Sequence, residues 1–388
     1  MATQTLISGV QYSGIWSLAG QANAKALGTW PTQPPKLFLY SWGKNDLGQL
    51  GLSNTTYYSS PKQVGSLEFW SAVSGGENHS LAVKTDGTLW SWGRNNAGQL
   101  GQNNLTSYSS PKQIGALTAW SKVSGGINFS LAIKTDGTLW SWGLGTNGRL
   151  GLGNTTTYSS PMQIGALANW SNISAGNNWV IAVKTDGTLW SWGGNVGGQL
   201  GLGNTTYYSS PKQIGALTGW SLVAAQNQSA MAIKTNGTLW TWGINAFGNL
   251  GLGVPTYYSS PKQVGALTTW SKVSGRNSSA SAVKTDGTLW TWGAGTLGQL
   301  GLGNRTYYSS PKQVGVLTTW LNTAGGYQHT IAVKTDGTSW SWGRNTDGEL
   351  GLGNTTSYSS PVQVGSLANW STAANCRNGK FTLAIVAA

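Results

Sequence analysis

A fixed internal repeat is the feature that most constrains how this chain can fold. The motif Leu-Trp-Ser-Trp-Gly, or a close variant, recurs seven times at a period of 50 residues and is followed each time by Gly-x-Leu-Gly. The pattern indicates no insertion or deletion in any copy. The second tryptophan of the motif occupies Trp42, Trp92, Trp142, Trp192, Trp242, Trp292 and Trp342. A period of this length is typical of solenoids and propellers.

Each copy is predicted to form four short strands. In the second copy these are strand one at Leu89–Gly93, strand two at Pro111–Gly115, strand three at Ser121–Ser124 and strand four at Ser130–Lys134. Thr-Asp-Gly follows strand four and is a strong hairpin signal, so strand four should pair with the next strand one. Four strands in each of seven copies predict an all-β, seven-bladed β-propeller. A solenoid would need distinct capping repeats at its ends, which the pattern does not show.

The phase of the repeat predicts how the ring closes. The array starts with strand one at Leu39 and ends with strand four at Phe381–Ala388. One blade must therefore combine Ser371–Val386 with Leu39–Gly65, which removes the open sheet edges. We divide the chain into a propeller, 39–388, and a leader, 1–38. The leader is predicted to contain a short strand at 12–18, a weak helix at 19–28 and a Pro-rich linker.

Composition limits the kind of partner. The formal net charge is +13, but the lysines recur at fixed repeat positions and are spread around the ring, which does not favour a nucleic-acid site. Cys376 is the only cysteine, so no intrachain disulfide can form. No apolar run approaches the ~20 residues of a membrane helix. No Lys or Arg precedes Lys25, so we expect neither membrane insertion nor a secretion signal.

Two resemblances follow from these motifs. The pattern W-G-x-N-x-x-G-Q-L-G, together with GGENHSLAVKTDG at Gly75–Gly87, resembles the repeats of the regulator of chromosome condensation over residues 39–388. That resemblance implies a seven-bladed propeller, a fold that serves many unrelated roles. The leader sequence GVQYSGIWSLAGQANAKALGTWP resembles the N-termini of structural proteins of tailed phages of marine bacteria. This second resemblance implies a virion location, with residues 1–38 contacting other virion proteins.

Comparison of the seven copies separates constant positions from variable ones. The four residues after Trp-Gly differ sharply, for example KNDL, GNVG and RNTD, and so does the turn between strands three and four. Connections alternate between the two ends of a blade, so both variable segments should emerge on one face. That face would carry the candidate binding residues Lys44, Asp46, Arg94, Phe129, Trp179, Phe247, Arg276, Tyr327, Arg344 and Asp347. Exposed aromatic and arginine side chains are favoured anchors at interfaces.

Two alternatives stay open for this rim. Loops tolerate change, so the variation could be drift without recognition. Phe129 and Trp179 could also point inward and fill the axial channel. The closure predicts that Leu39 lies on the face opposite the variable rim, which would suit a particle-borne adhesin attached through its leader.

The residues do not predict catalysis, a metal or a cofactor. The only histidines, His79 and His329, are 250 residues apart in equivalent turns. Asp86 and its counterparts belong to hairpin turns, where Asn236 shows that the charge is dispensable. The sequence therefore predicts a non-enzymatic phage virion component, such as a tail, fibre or capsid-surface adhesin, that recognises a host-surface glycan or protein. The alternative is an intracellular protein–protein interaction scaffold. The resemblance also implies a regulator that acts as a GTPase exchange factor, but that activity relies on a wedge-like insertion that the repeats do not show.

Overall fold

A computed structural model describes residues 35–374 and 376–387 of the 388. These residues contain 28 strands arranged in seven four-stranded antiparallel sheets, and neighbouring sheets pack into a closed ring. The predicted seven-bladed β-propeller is confirmed. The strand and helix predicted within the leader lie outside the described residues.

Strands one and two of the repeat form the outer half of each blade. Strand one corresponds to β1 (Leu37–Gly43), β5 (Leu89–Gly93), β9 (Leu139–Gly143), β13 (Leu189–Gly193), β17 (Leu239–Gly243), β21 (Leu289–Gly293) and β25 (Ser339–Gly343). Strand two corresponds to β2 (Tyr58–Gln63), β6 (Tyr108–Gln113), β10 (Tyr158–Gln163), β14 (Tyr208–Gln213), β18 (Tyr258–Gln263), β22 (Tyr308–Gln313) and β26 (Tyr358–Gln363). A single turn of 3₁₀ helix covers Thr146–Gly148.

Strands three and four form the inner half. Strand three corresponds to β3 (Trp70–Gly75), β7 (Trp120–Gly125), β11 (Trp170–Ala175), β15 (Trp220–Ala225), β19 (Trp270–Gly275), β23 (Trp320–Gly325) and β27 (Trp370–Ala373). Strand four corresponds to β4 (His79–Lys84), β8 (Phe129–Lys134), β12 (Trp179–Lys184), β16 (Ser229–Lys234), β20 (Ser279–Lys284), β24 (His329–Lys334) and β28 (Phe381–Ala387). From the axis outward, the order in every blade is three, four, one, two.

The predicted bounds of strand two were wrong. Strand β6 begins three residues before Pro111 and ends at Gln113, because Gly115 has a φ of 55°, which an extended strand cannot accommodate. Pro111 lies on the outermost strand, where its missing N–H is tolerated.

The predicted closure is confirmed. One blade has the order β2-β1-β28-β27, and Leu39 pairs with Ile385 across the junction of the chain ends. The terminal strands β1 and β28 are therefore each paired on both sides, and neither is left as an open sheet edge.

The expectation that no copy carries an insertion was wrong for the last copy. Trp70 pairs with Lys84, 14 positions later, whereas Trp370 pairs with Val386, 16 positions later. The turn between strands three and four is thus two residues longer in the closing blade. It carries Cys376 and Arg377, which are both buried.

The second tryptophan of strand one joins each blade to the preceding one. Trp92 is fully buried, and its Nε1 donates a hydrogen bond of 2.9 Å to the backbone carbonyl of Gln49. Trp42 makes the equivalent bond of 2.9 Å to Glu349 and so connects the first and last copies. These indoles are core residues that pack blade on blade, as the sequence predicted.

Candidate functional site

The two classes of connection lie on opposite faces of the ring. On one face, the loop after strand one meets the turn between strands three and four, where the Arg94 N–H donates a 2.9 Å hydrogen bond to the Asn78 carbonyl. On the other, the link after strand two meets the Thr-Asp-Gly hairpin, where the Trp120 N–H donates a 3.0 Å bond to the Gly87 carbonyl. We call these the variable face and the uniform face. Both variable segments lie on the variable face, as expected.

Seven of the ten candidate residues are partly or fully exposed on the variable face. They are Lys44, Asp46, Arg94, Phe247, Tyr327, Arg344 and Asp347. The loops that carry them follow buried strands, so the β-sheets hold their positions.

Phe129, Trp179 and Arg276 are not exposed anchors, and that part of the prediction was wrong. Their side chains are 0%, 0% and 1% exposed, respectively. The Trp179 Nε1 donates a 3.0 Å hydrogen bond to the Asn227 carbonyl of the next blade. Arg276 packs against Gly325, also of the next blade. All three side chains lie at the junctions between blades, and neither aromatic residue lines the axial cavity, so the alternative that they fill the axial channel was wrong as well.

A reciprocal size rule explains the variation at these junctions. In four of the seven copies a large residue starts strand four and a glycine lies three positions earlier, where a Cβ atom would overlap the large side chain. The closing blade departs from this spacing, because the glycine that faces Phe381 is Gly379, only two positions earlier. In the two copies where strand four starts with a serine, the earlier position is large instead. The pairs are Gly76 with His79, Gly126 with Phe129, Gly176 with Trp179, Gln226 with Ser229, Arg276 with Ser279 and Gly326 with His329. One side chain thus fills each junction from either position, which is the behaviour of a close-packed interior.

Arg276 is a buried cation for which the described residues supply no carboxylate partner. Its Nη2 donates a 2.7 Å hydrogen bond to the Ser281 hydroxyl, while Nε and Nη1 have no hydrogen-bond partner in the described part of the chain. Burial lowers the pKa of Arg276 to about 9, so the side chain is still protonated at neutral pH.

A mixed-charge cluster lies where the closing blade meets the preceding blade. Lys44 and Asp46 form an ion pair of 2.9 Å, and Arg344 pairs with Asp347 at 2.8 Å and with the buried Glu349. Burial raises the pKa of Glu349, although the charge of Arg344 acts to lower it. Partial burial acts to lower the pKa of Lys44, but its hydrogen bond and charge interaction with Asp46 outweigh that effect, so the pKa is raised. The cluster thus combines two cations with three carboxylates and is partly exposed.

An aromatic pair is the second exposed feature of the variable face. The ring of Phe247 stacks on that of Tyr307 from the next blade, with centroids 5.7 Å apart and planes inclined by 16°. The two residues are 44% and 47% exposed. Two large apolar rings that stack in solvent offer a preformed contact surface to a partner.

Comparison of the copies missed the tyrosine of this pair because it lies outside the two variable segments, at a position that is tyrosine in four of the seven copies. Tyr57, Tyr207, Tyr257 and Tyr307 all precede a second tyrosine, and all four are more than 40% exposed. The second tyrosine packs inward, as when the Asn54 side chain donates to the Tyr58 hydroxyl at 3.1 Å. Neighbouring residues in an extended segment point to opposite sides, so the Tyr-Tyr pair was a signal that the first ring is exposed.

The two histidines are buried in separate blades, and each contacts a hydroxyl group of the following blade. His79 Nε2 lies 2.9 Å from the Ser130 hydroxyl and His329 Nε2 lies 3.0 Å from the Thr382 hydroxyl. Burial lowers the pKa of both imidazoles to about 3, so both are neutral at pH 7. Among the described residues, no three His, Cys, Asp or Glu side chains are grouped so as to bind a metal ion. No helix in the described ranges is long and apolar enough to cross a membrane.

With this ring and its two faces established, the family can be assigned. The chain belongs to the RCC1-like domain family, which matches residues 38–280. Regulator of chromosome condensation (RCC1) repeats match residues 286–333, 336–376 and 322–349. The resemblance of the propeller repeats is therefore confirmed, whereas that of the leader to phage proteins stays a prediction.

Solved structures of other propellers share the fold. Human WBSCR16 is 19% identical with a TM-score of 0.80, and the match covers 91% of this chain and 99% of WBSCR16. Prp20p from Saccharomyces cerevisiae, in a structure described with its binding properties to Gsp1p and histones, is 19% identical with a TM-score of 0.80 and 92% coverage of both chains. Yeast RCC1 (Prp20) bound to Kap60 gives a TM-score of 0.79 at 19% identity, with 99% of this chain and 95% of that chain covered. At this identity the likeness shows the fold alone. No curated protein matches the sequence.

Proposed function

We propose that this chain is a non-enzymatic propeller that binds a protein partner through its variable face. The observation that carries the proposal is the difference between the two faces of one molecule. The variable loops, the exposed Phe247–Tyr307 stack and the mixed-charge cluster all lie on the variable face, while the links of the uniform face repeat almost unchanged. A rigid ring with diversified loops on one side is suited to recognition.

The comparisons support protein partners in general. Prp20p is described as binding Gsp1p and histones, and yeast RCC1 is described as bound to Kap60. These protein-binding propellers favour an interaction scaffold, which the sequence offered as the alternative, over a virion adhesin. The longer turn of the last copy carries Cys376 and Arg377, which are buried and so do not supply an exposed wedge of the exchange-factor kind. We therefore favour a scaffold over an exchange factor.

A virion adhesin remains the second candidate. The described chain enters the propeller at Leu37, whose partner Ala387 lies at the uniform-face end of the closing blade. This end of the first strand lies on the side opposite the variable loops, as attachment at one end and recognition at the other would require. Detection of the chain in purified phage particles would support this setting, and its recovery only from the soluble cell fraction would exclude it.

Capture from a lysate of the source cells tests the role of the variable face. The full chain is immobilised as wild type, as the double variant F247A/Y307A and as V316A. Val316 is 88% exposed and lies in a link of the uniform face, so it is the matched control. We expect the double variant to lose roughly tenfold or more of the partner that wild type and V316A retain, because buried aromatic anchors dominate interface energies. Equal recovery by all three proteins would contradict the proposal.

A further inference from the structure

The axis of the ring contains a cavity of about 270 Å³. Its walls come from strand three of all seven copies, and Arg377 lies at its variable-face end. The volume is slightly below the roughly 300–1,000 Å³ of sites that take drug-sized molecules, so a ligand here would be small.

Arg377 closes the variable-face end of this cavity. Its Nε and Nη2 donate hydrogen bonds of 2.9 Å and 2.5 Å to the carbonyls of Ala175 and Ala225, across the ring from its own blade. Its backbone N–H donates a 2.8 Å bond to the Gly75 carbonyl. The residue is only 6% exposed, and burial lowers the pKa of its guanidinium to about 10, which leaves it charged at neutral pH. Neither of these side-chain bonds uses Nη1, and none of the described residues that line the cavity is a carboxylate that could balance the charge.

Serine hydroxyls on the wall have their acceptor side occupied. The Ser124 oxygen accepts a 2.9 Å hydrogen bond from the Ala175 N–H, and the Ser174 oxygen accepts one of 2.9 Å from the Ala225 N–H. Neither hydroxyl has an acceptor for its own hydrogen within the described ranges. Both are therefore available to donate to a ligand.

The rest of the polar lining is also rich in donors. Asn172 accepts a 3.4 Å hydrogen bond from the Val223 N–H through Oδ1, which leaves its amide N–H groups to donate. Lys272, nearer the uniform face, is exposed and its ammonium has no partner in the described part of the chain. Asn322 supplies an acceptor, its buried Oδ1, and none of the described residues lining the cavity is acidic. Two cations with an excess of donors select an acceptor-rich, negatively charged ligand.

We propose that the axial cavity is a binding site for a small oxyanion, carried as a phosphate or a carboxylate group. The anion enters from the uniform face, because Arg377 spans the opposite end. Arg377 Nη1 and the Ser124 and Ser174 hydroxyls bind the oxygen atoms, and Lys272 attracts the ion at the entrance. This site is separate from the variable face and does not depend on the function proposed there.

Equilibrium dialysis of the full chain at low ionic strength, with radiolabelled inorganic phosphate and with radiolabelled acetate, tests the site. K272Q is compared with K122Q, which removes the same charge at the same repeat position. Lys122 does not line the cavity, and its ammonium contacts the Ser171 carbonyl instead. We expect saturable binding of at least one probe. K272Q should weaken that binding roughly fivefold, which corresponds to the loss of about 1 kcal/mol of attraction between the ammonium and the anion, and K122Q should leave it unchanged. The probe that binds more tightly identifies the group that the site selects.

The Arg377 variant is the second arm. R377M should abolish binding, and circular dichroism of the same sample reports whether the ring is intact. Because Arg377 also holds two inner strands, the Lys272 comparison decides the case if R377M unfolds. Failure of both probes to bind the wild type, or equal weakening by K272Q and K122Q, would overturn the proposal.

Discussion

At the scale of single residues, variation among copies has two physical sources. At the start of strand four, variation follows packing: Trp179 faces Gly176, and Ser279 faces Arg276, so each junction is filled once. In the loops after strand one, variation reaches solvent, as at Phe247. Comparison of the copies one position at a time does not separate the two sources, because two side chains three residues apart compete for the same space at a junction. The reciprocal pattern was nevertheless present in the sequence.

The buried histidines predict how stability depends on pH. The pKa of His79 and His329 is lowered from 6.5 to about 3 on folding, so between these values the unfolded chain binds more protons than the folded chain. Stability is therefore fully present above pH 6.5 and falls as the pH is lowered, by up to ~1.4 kcal/mol per pH unit for each histidine. Urea denaturation at a series of pH values from about 6.5 to 5, above the range of most carboxylates, measures this slope.

The double variant H79F/H329F is the control for that slope. Phenylalanine occupies the same repeat position at Phe129 and Phe381, where it is fully buried, so the junctions accept it. The variant should be less sensitive to pH over this range. A slope as steep as that of the wild type would show that the histidines do not cause it.

At the scale of elements, the sequence predicted the bounds of a strand better where buried and exposed side chains alternate than where a turn sets the end of the strand. Strand one in the second copy was predicted with the bounds that the structure has, because its tryptophans fix the register. Strand two was shifted, because its limits depend on Pro111 and on the positive φ of Gly115 and not on an alternating pattern. The two-residue insertion in the last copy was missed because the tryptophan period ends before it.

The glycines that follow strand one and strand two allow a matched test of blade packing. Gly201 and Gly215 have φ values of 73° and 58°, so alanine is strained at both. A Cβ atom at Gly201 would lie 2.6 Å from the Trp242 indole nitrogen, whereas nothing lies within 4 Å of one at Gly215. We expect G215A to cost about 1 kcal/mol from backbone strain and G201A about 1–3 kcal/mol more from overpacking. Denaturant unfolding gives both values, and equal losses would argue against a tight contact between blades at Trp242.

At the scale of the whole molecule, the ring and its closure followed from the sequence alone. The phase of the repeat required the two chain ends to share a blade, and the pairing of Leu39 with Ile385 confirms it. The contacts in the interior of the ring could not be predicted. Arg377 donates hydrogen bonds to Ala175 and Ala225, which lie in two neighbouring blades across the ring from its own blade. Contacts over such sequence distances leave no periodic signal. The binding partner was equally beyond reach, since a fold shared by many proteins does not define one role.

The central claim is that recognition takes place on the variable face. A photo-cross-linking amino acid is placed at Phe247 on that face or at Val316 on the uniform face, two positions that are 44% and 88% exposed. Each protein is irradiated in the source cells and its adducts are identified by mass spectrometry. The account predicts a specific protein adduct from position 247 and none from position 316. An adduct from position 316 alone would contradict it.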